Sequence, residues 1–323
     1  MENRLGIAFK GMAMGMAEVI PGVSGGTIAF ITGIYEKLLN SIKAFGPSLI
    51  ATFRKDGFAG AWNAINGNFL VYLMGGMVLG VVVGVFGISF LLENYPPAVW
   101  AFFFGLIIAS AIYVGRQIEK WSWKEVLALI IGTVVAYVIT TVSPTEGSSS
   151  FIFVFVSGMI AISALILPGI SGSFILLLMG MYSFIITDTL KPVLRLSIDT
   201  EKLLTILAFV LGCLTGLMTV SRLLSWTFKH YRSVTLAILT GFMIGSLNKI
   251  WPWRNGTKWM TEEGAIIDSL VGGIVPKKIL MEQNVLPADY IGSEPLVLAV
   301  VVCVVLGFAA VFLLERFGSN SKH

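Results

Sequence analysis

One short phrase occurs twice in this chain, and the repetition constrains its fold more than any other feature. Residues 21–26 read Pro21-Gly22-Val23-Ser24-Gly25-Gly26, and residues 168–173 read Pro168-Gly169-Ile170-Ser171-Gly172-Ser173. Set at an offset of 147, residues 11–39 and 158–186 share Gly11/Gly158, Met12/Met159, Ala17/Ala164, Pro21/Pro168, Gly22/Gly169, Ser24/Ser171, Gly25/Gly172, Ile28/Ile175, Gly33/Gly180 and Tyr35/Tyr182. Both copies place a helix-breaking, serine-bearing loop inside an apolar stretch. Irregular backbone at bilayer depth survives only where it is buried in protein or lines a cavity, so such a loop marks where a polar ligand would be held.

Composition makes the bilayer the relevant solvent. Apolar residues are 56% of 323 and charged residues 12%, with a mean hydropathy of +0.88, where a soluble domain carries roughly 25% charge. Stretches 69–92 and 296–314 are nearly continuous apolar runs, of the roughly 20 residues needed to cross about 30 Å of hydrocarbon. The net charge of +4 is small. It argues against a nucleic-acid partner and assigns the basic residues to cytoplasmic loops and anionic membrane lipids. Cys213 and Cys303 lie in expected spans, and the histidines are His230 and the terminal His323. No disulfide framework, metal site or cofactor is expected from them. The N-terminus has the look of a secretory signal, but the same kind of stretch recurs at 158–167, where no signal peptide could lie.

Each half opens with two short apolar arms around its loop, 5–20 and 27–39 in the first and 151–167 and 174–187 in the second. Arms of about 13–17 residues reach only about 20–25 Å as helices, short of a full crossing. They read as re-entrant hairpins, with one kinked spanning helix as the rival reading. Three longer spans follow in each half: 69–92, 98–114 and 125–142, then 203–226, 233–250 and 296–315. Gly80, Gly84 and Ser89 match Gly212, Gly216 and Ser221 at an offset of 132, and Tyr95, Gly105 and Ser110 match Tyr231, Gly241 and Ser246 at 136. A hairpin plus three spans leaves the chain on the opposite side, so the second copy is inserted upside down. The expected fold is an all-α polytopic membrane protein, an inverted-topology repeat of 1–150 and 151–323 with two re-entrant helical hairpins and six full spans. With the N-terminus inside, 14 Lys and Arg fall on the cytoplasmic side and 8 (Lys191, Arg195, Lys202, Lys249, Arg254, Lys258, Lys277 and Lys278) on the other, as the positive-inside rule requires. Residues 36–66 mix basic and apolar side chains and suit interfacial helices. Residues 251–293 read as a polar outer loop whose tryptophans form an interface belt.

The chemistry-bearing candidates concentrate in the loops. A glycine-rich loop feeding a helix presents unpaired N–H groups and the positive end of the helix dipole, a cradle for phosphate or carboxylate. Ser24, Thr27, Ser171 and Ser173 add hydroxyls. The bland alternative is that Gly and Pro merely kink helices and allow close packing. Glu18, three residues before Pro21, is a carboxylate in an arm otherwise free of charge and would carry a proton or pair with a cation; pairing with Lys10 or Lys37 is the alternative. Its counterpart is Leu165. Arg222 suits bidentate phosphate recognition, or is an ordinary cytoplasmic-end arginine. Ser89, Ser110, Ser246 and Asn248 either line a cavity or simply pack.

The run from Gly11 to Thr27, with Gly33-Ile34-Tyr35 after it and Leu167–Ser173 as a second motif, resembles the bacterial polyprenyl-phosphate transporter family. The resemblance implies return of undecaprenyl phosphate, the lipid carrier of cell-wall precursors, across the bacterial cytoplasmic membrane. It points to Glu18, Pro21, Gly22, Ser24, Gly25, Gly26 and Thr27, and to Pro168, Gly169, Ser171 and Gly172. Arg222 is a physical inference outside the resemblance. A carrier or channel for a small soluble anion would use the same loops. An enzyme such as a lipid phosphatase lacks an intramembrane histidine, a carboxylate cluster and a nucleophile beside a base.

Overall fold

The structure is a computed structural model, which describes residues 4–20, 23–142, 144–145, 147–194, 199–260, 266–267, 278–291 and 294–319. It is mostly helical. The first half holds α1 (Arg4–Glu18), α2 (Gly25–Ile31), α3 (Tyr35–Lys43), α4 (Pro47–Ala64), α5 (Gly67–Asn94), α6 (Pro96–Gly115) and α7 (Trp123–Thr141). The second holds α8 (Phe151–Ile166), α9 (Gly172–Leu178), a π-helical segment Phe184–Leu190 running into α10 (Lys191–Leu194), then α11 (Thr200–His230), α12 (Arg232–Ser246) and α13 (Val297–Ser319).

Among the described residues, four helices, α5, α6, α7 and α11, are long and apolar enough to cross a membrane. Large apolar side chains such as Val78, Phe86, Ile130, Val134, Leu207 and Val305 point outward from the bundle, as they do where the surroundings are lipid. The protein is a multi-pass membrane protein. The expected span 233–250 ends earlier, at Ser246, and the described apolar stretch of α13 is Val297–Leu313; both are shorter than the other four.

The second arm of each expected hairpin is also shorter than its hydropathy suggests. Gly33 and Gly180 take left-handed φ of 72° and 68° and end α2 and α9 after seven residues each. The same pair of bonds closes both ends: Gly33 N–H to Phe30 O and Ile34 N–H to Ala29 O, Gly180 N–H to Leu177 O and Met181 N–H to Leu176 O, at 2.9–3.0 Å. This is a helix stop that glycine makes without steric cost. Expected arms 27–39 and 174–187 are therefore broken where a matched glycine stands.

Helix pairing follows the duplication. α1 packs along α5 and α8 along α11, while α6 packs along α13 and α12 along α7. Without a hydrophobic drive between helices in lipid, small residues that let backbones close up do this work. A Cβ on Gly76 or Gly80 would lie 2.0 Å from the carbonyl of Ala8 or Met12, and one on Gly212 or Gly216 would lie 2.0 or 2.3 Å from that of Phe155 or Met159. Phe155 and Met159 are Ala8 and Met12 displaced by 147, so Gly212 answers Gly76 and Gly216 answers Gly80. The spatial offset is 136, one helical turn from the 132 that letter matching suggests. It then runs unbroken to Tyr95 and Tyr231, whose dihedrals agree to one degree (φ −136° and −137°, ψ 49° and 48°). α6 and α12 form the centre, with Ala101, Ile107, Ser110, Leu236, Leu239 and Met243 buried.

Residues 36–66 form α3 and α4, as expected of a helical segment. α3 buries Tyr35 and Leu39, whereas α4 has no buried residue and turns at Gly57 (φ 67°). The expected outer loop is built around a sheet instead: β1 (Arg254–Met260) pairs antiparallel with β3 (Lys278–Asn284) and with β2 (Ile266–Ile267). Trp251 and Trp253 turn inward. Trp253 is buried against Ala101 and Val300 and donates to the Pro295 carbonyl at 2.8 Å, and Trp251 donates to that of Val285 at 2.9 Å. An indole N–H with no partner would be costly to bury, and the segment between β3 and α13 supplies both acceptors.

Candidate functional site

The two repeated loops meet. Ser24 caps α2: its Oγ accepts the Gly26 N–H at 3.1 Å, and its hydroxyl donates to the carbonyls of Leu165 (3.1 Å) and Leu167 (3.2 Å). Those carbonyls end α8, where a helix leaves its last acceptors unpaired. Tyr35 Oη donates to the neighbouring Ile166 carbonyl at 3.2 Å. From the other side, the Gly169 N–H donates to Thr27 Oγ1 at 3.1 Å. Ser24 and Thr27 are fully buried. A Cβ on Gly26 would lie 2.5 Å from the Ile166 oxygen, so only glycine admits this approach. Pro21 and Gly22 lie outside the described residues.

Glu18 joins the same junction. Its Oε1 accepts the Gly25 N–H at 2.7 Å, placing a carboxyl oxygen on the first amide of α2, where an anion is favoured. The sequence has Glu18 carry a proton or pair with a cation; the partner seen on its Oε1 is this backbone amide.

The second loop is built differently. Pro168 is buried, and Gly169 takes φ 86° with its Cα against the Phe242 and Met243 backbone of α12. Ser171 caps α9, accepting the Phe174 N–H at 3.5 Å, and its Oγ shares a 2.9 Å hydrogen bond with Ser173 Oγ. Leu165 stands where Glu18 stands in the first repeat, its Cβ beside Gly172. A cleft of about 10 Å³ touches Gly169, Ser171, Phe174, Ser246 and Lys249, at the lower limit for holding one water.

Arg222 is not at this junction. It is exposed on α11 with Nη2 beside Gly46, just before α4. Ser246 lines the cleft, while Ser110 is buried in α6 and donates to the Leu106 carbonyl.

The sequence reading missed a polar cluster next to Phe174. A cavity of about 430 Å³ lies between the end of α7, α9 and the sheet, with Asn248, Lys249, Arg254 and Glu282 in its wall. Glu282 Oε2 takes Lys249 Nζ at 3.2 Å and Arg254 Nη1 at 2.9 Å. Burial pushes the Glu282 carboxyl up, but the two cations outweigh it and hold the group below its ordinary value; burial lowers Arg254. Lys249 and Arg254 are close in sequence, yet nothing local announces Glu282 28 positions beyond Arg254. Only the β1–β3 pairing brings it in. Among the described residues, no group of three or more His, Cys, Asp and Glu could hold a metal ion.

A family model described as VCA0040-like, undecaprenyl phosphate translocase-like, matches residues 14–267. The chain is 43% identical over 321 residues to a protein of Vibrio cholerae serotype O1 named polyprenyl-phosphate transporter, covering 98% of both chains. It is 31% identical over 262 residues to a Staphylococcus aureus protein of the same name, covering 75% of this chain and 84% of that one. No solved structure matches.

Proposed function

Because the chain belongs to the undecaprenyl phosphate translocase-like family, we propose that it moves a polyprenyl phosphate, undecaprenyl phosphate, between the leaflets of a bacterial cytoplasmic membrane for reuse, without cleaving it. The names of the two relatives support the substrate. The observation that carries the site is the junction of the two loops, in which Ser24 and Thr27 bond to the backbone of residues 165–169.

The barrier to moving such a lipid is its headgroup. A charged phosphate in hydrocarbon costs many kcal/mol, whereas the prenyl tail is already at home. A translocase has to offer hydrogen-bond donors at depth and then release the headgroup to the other side. We read 1–150 and 151–323 as inverted repeats, with α1–α2 and α8–α9 as re-entrant hairpins and the N-terminus cytoplasmic. The matched helix pairs and the basic-residue bias support this reading. In the proposed cycle the loop hydroxyls and amides exchange their present partners for phosphate oxygens, so parting the loops is the access step. The contacting set is Ser24, Gly25, Gly26, Thr27, Gly169, Ser171, Gly172 and Ser173, framed by Pro21, Gly22 and Pro168, with Glu18 as the carboxyl that offsets or relays charge. Arg222, beside Gly46, is left out of it.

The test is movement of fluorescent undecaprenyl phosphate across vesicles holding the purified protein. Transfer without release of inorganic phosphate is the expected result. Phosphate release would mark an enzyme, and uptake of labelled inorganic anion without lipid movement would mark a soluble-anion carrier.

A further inference from the structure

The cavity of about 430 Å³ beside the sheet carries two cations against one carboxylate. The side chains of Lys249, Arg254 and Glu282 are 20%, 5% and 24% exposed, so all three charges are largely withdrawn from water. Burying charge is costly unless it is fully paired, and among the described residues a single carboxylate leaves this wall one positive charge in excess. Arg254 is fixed in place: its guanidinium sits 4.0 Å from the centre of the Trp100 ring, and Nη1 also donates to the Lys249 carbonyl at 2.7 Å. Its buried Nε has no hydrogen-bond partner among the described residues. Lys249 Nζ lies 4.9 Å from the centre of the Phe174 ring. Thr140, Phe174 and Lys249 form the common wall between this cavity and the small cleft that reaches Gly169 and Ser171.

We propose that this cavity is a docking vestibule for a phosphate monoester headgroup, in which Lys249 and Arg254 take the phosphate oxygens and Glu282 is the carboxylate that the headgroup displaces. A monoester carries about −1.5 to −2 near neutral pH. It therefore balances the two cations, where Glu282 balances one. The guanidinium offers donors in the planar arrangement that phosphate oxygens accept, and a few hundred Å³ is the size of an ordinary ligand pocket. Glu282 keeps the wall paired while the vestibule is empty. When phosphate replaces it, Lys249 follows the new anion away from Phe174, and the partition before Ser171 loosens. The vestibule stands on the cavity and its charges; only the identity of the bound molecule as a prenyl lipid rests on the proposed function.

The full-length protein in nanodiscs, titrated with farnesyl phosphate and in separate arms with inorganic phosphate and farnesol, tests this. Lys249→Gln should weaken farnesyl phosphate binding about tenfold, the scale of one lost charge-assisted hydrogen bond. Glu282→Gln should tighten it about fivefold or more, because the internal competitor loses its charge. Opposite signs are the signature, since a cluster serving only to hold the sheet would be weakened by both changes. Arg254→Lys keeps the charge and loses the planar donor set, so it should fall between wild type and Lys249→Gln; thermal melting checks that each variant is folded. Farnesyl phosphate binding that depends on Lys249, with farnesol not bound, supports the vestibule and the lipid together. Inorganic phosphate bound as tightly as farnesyl phosphate, with the same response to both variants, keeps the vestibule and removes the lipid. Unchanged or weakened affinity in Glu282→Gln overturns the vestibule, even where the wild-type protein still moves polyprenyl phosphate.

Discussion

The two copies of the Pro-Gly loop differ in what stands behind their first helical amide. In the first, Glu18 Oε1 accepts the Gly25 N–H and Ser24 is committed to the end of α8. In the second, Leu165 faces Gly172, and among the described residues the Ser171 and Ser173 hydroxyls hold each other and Ser171 holds the Phe174 N–H. Ser24, Thr27 and Ser171 are all buried, but the first loop spends its hydroxyls on the backbone of the second, whereas the second adjoins a cleft and then a cavity. The two loops share a sequence pattern and a capping serine, but Glu18 takes up the first helical amide in one and Leu165 offers no such group in the other. The lesson is that a repeated motif has repeated geometry without repeated availability.

The largest test of this contrast is at the junction itself. Gly26→Val drives a side chain into the Ile166 carbonyl and should reduce lipid movement to background, while Gly75→Ala, with nothing within 4 Å of the added carbon, should leave it unchanged. Activity surviving in Gly26→Val would mean that the loops do not need this approach.

Next in size are the paired serines. Ser24→Ala leaves the α8 carbonyls without their donor and should cost about 1–3 kcal/mol of stability, read as a fall in melting temperature. Ser171→Ala should leave the melting temperature nearly unchanged and weaken lipid binding instead. The reverse pattern would invert the assignment of sealed and available loops.

A smaller effect comes from pH on the cavity side. Arg254 and Lys249 hold the Glu282 carboxyl below its ordinary value, so its anchoring of β3 is complete at neutral pH and is lost as pH falls through that lowered value. Hydrogen exchange of the β1 amides, corrected for intrinsic rates, should stay flat down to the ordinary carboxylate value of 4.5 and rise only below it. A rise between pH 7 and 5 would contradict the pairing. The smallest effect is expected from Arg222→Gln: beside Gly46 and away from both loops, it should change lipid affinity less than twofold.

Several of these features could be read from residues alone because their causes are local. The match of Gly33 with Gly180 is visible, but the apolar run around each reads as one continuous arm, and the stop appears only in their left-handed φ. Ser24 and Ser171 are legible as loop hydroxyls beside a helix start, and their capping of α2 and α9 comes from the structure. Ser24's donation to the α8 carbonyls is not legible, because its acceptors lie more than 140 positions away. Letter matching sets the repeat offset at Gly80 one helical turn away from the spatial one for a related reason. In a glycine-rich helix every fourth position looks alike, and only the carbonyl each glycine faces tells one turn from the next.

The sequence by itself determined the solvent this protein lives in and the twice-written Pro-Gly phrase that interrupts its apolar stretches. Hydropathy, repetition and glycine's access to positive φ act on neighbouring residues and need no partner. The tertiary structure decided everything that depends on a partner. It set α6 on α13 and α7 on α12, across the two halves. It closed one loop with the other's backbone, and it gathered Lys249, Arg254 and Glu282 around one carboxylate oxygen. Lipid offers helices little preference among one another, so close packing of small residues and buried polar bonds chooses the pairs. Those terms exist only once the surfaces have met.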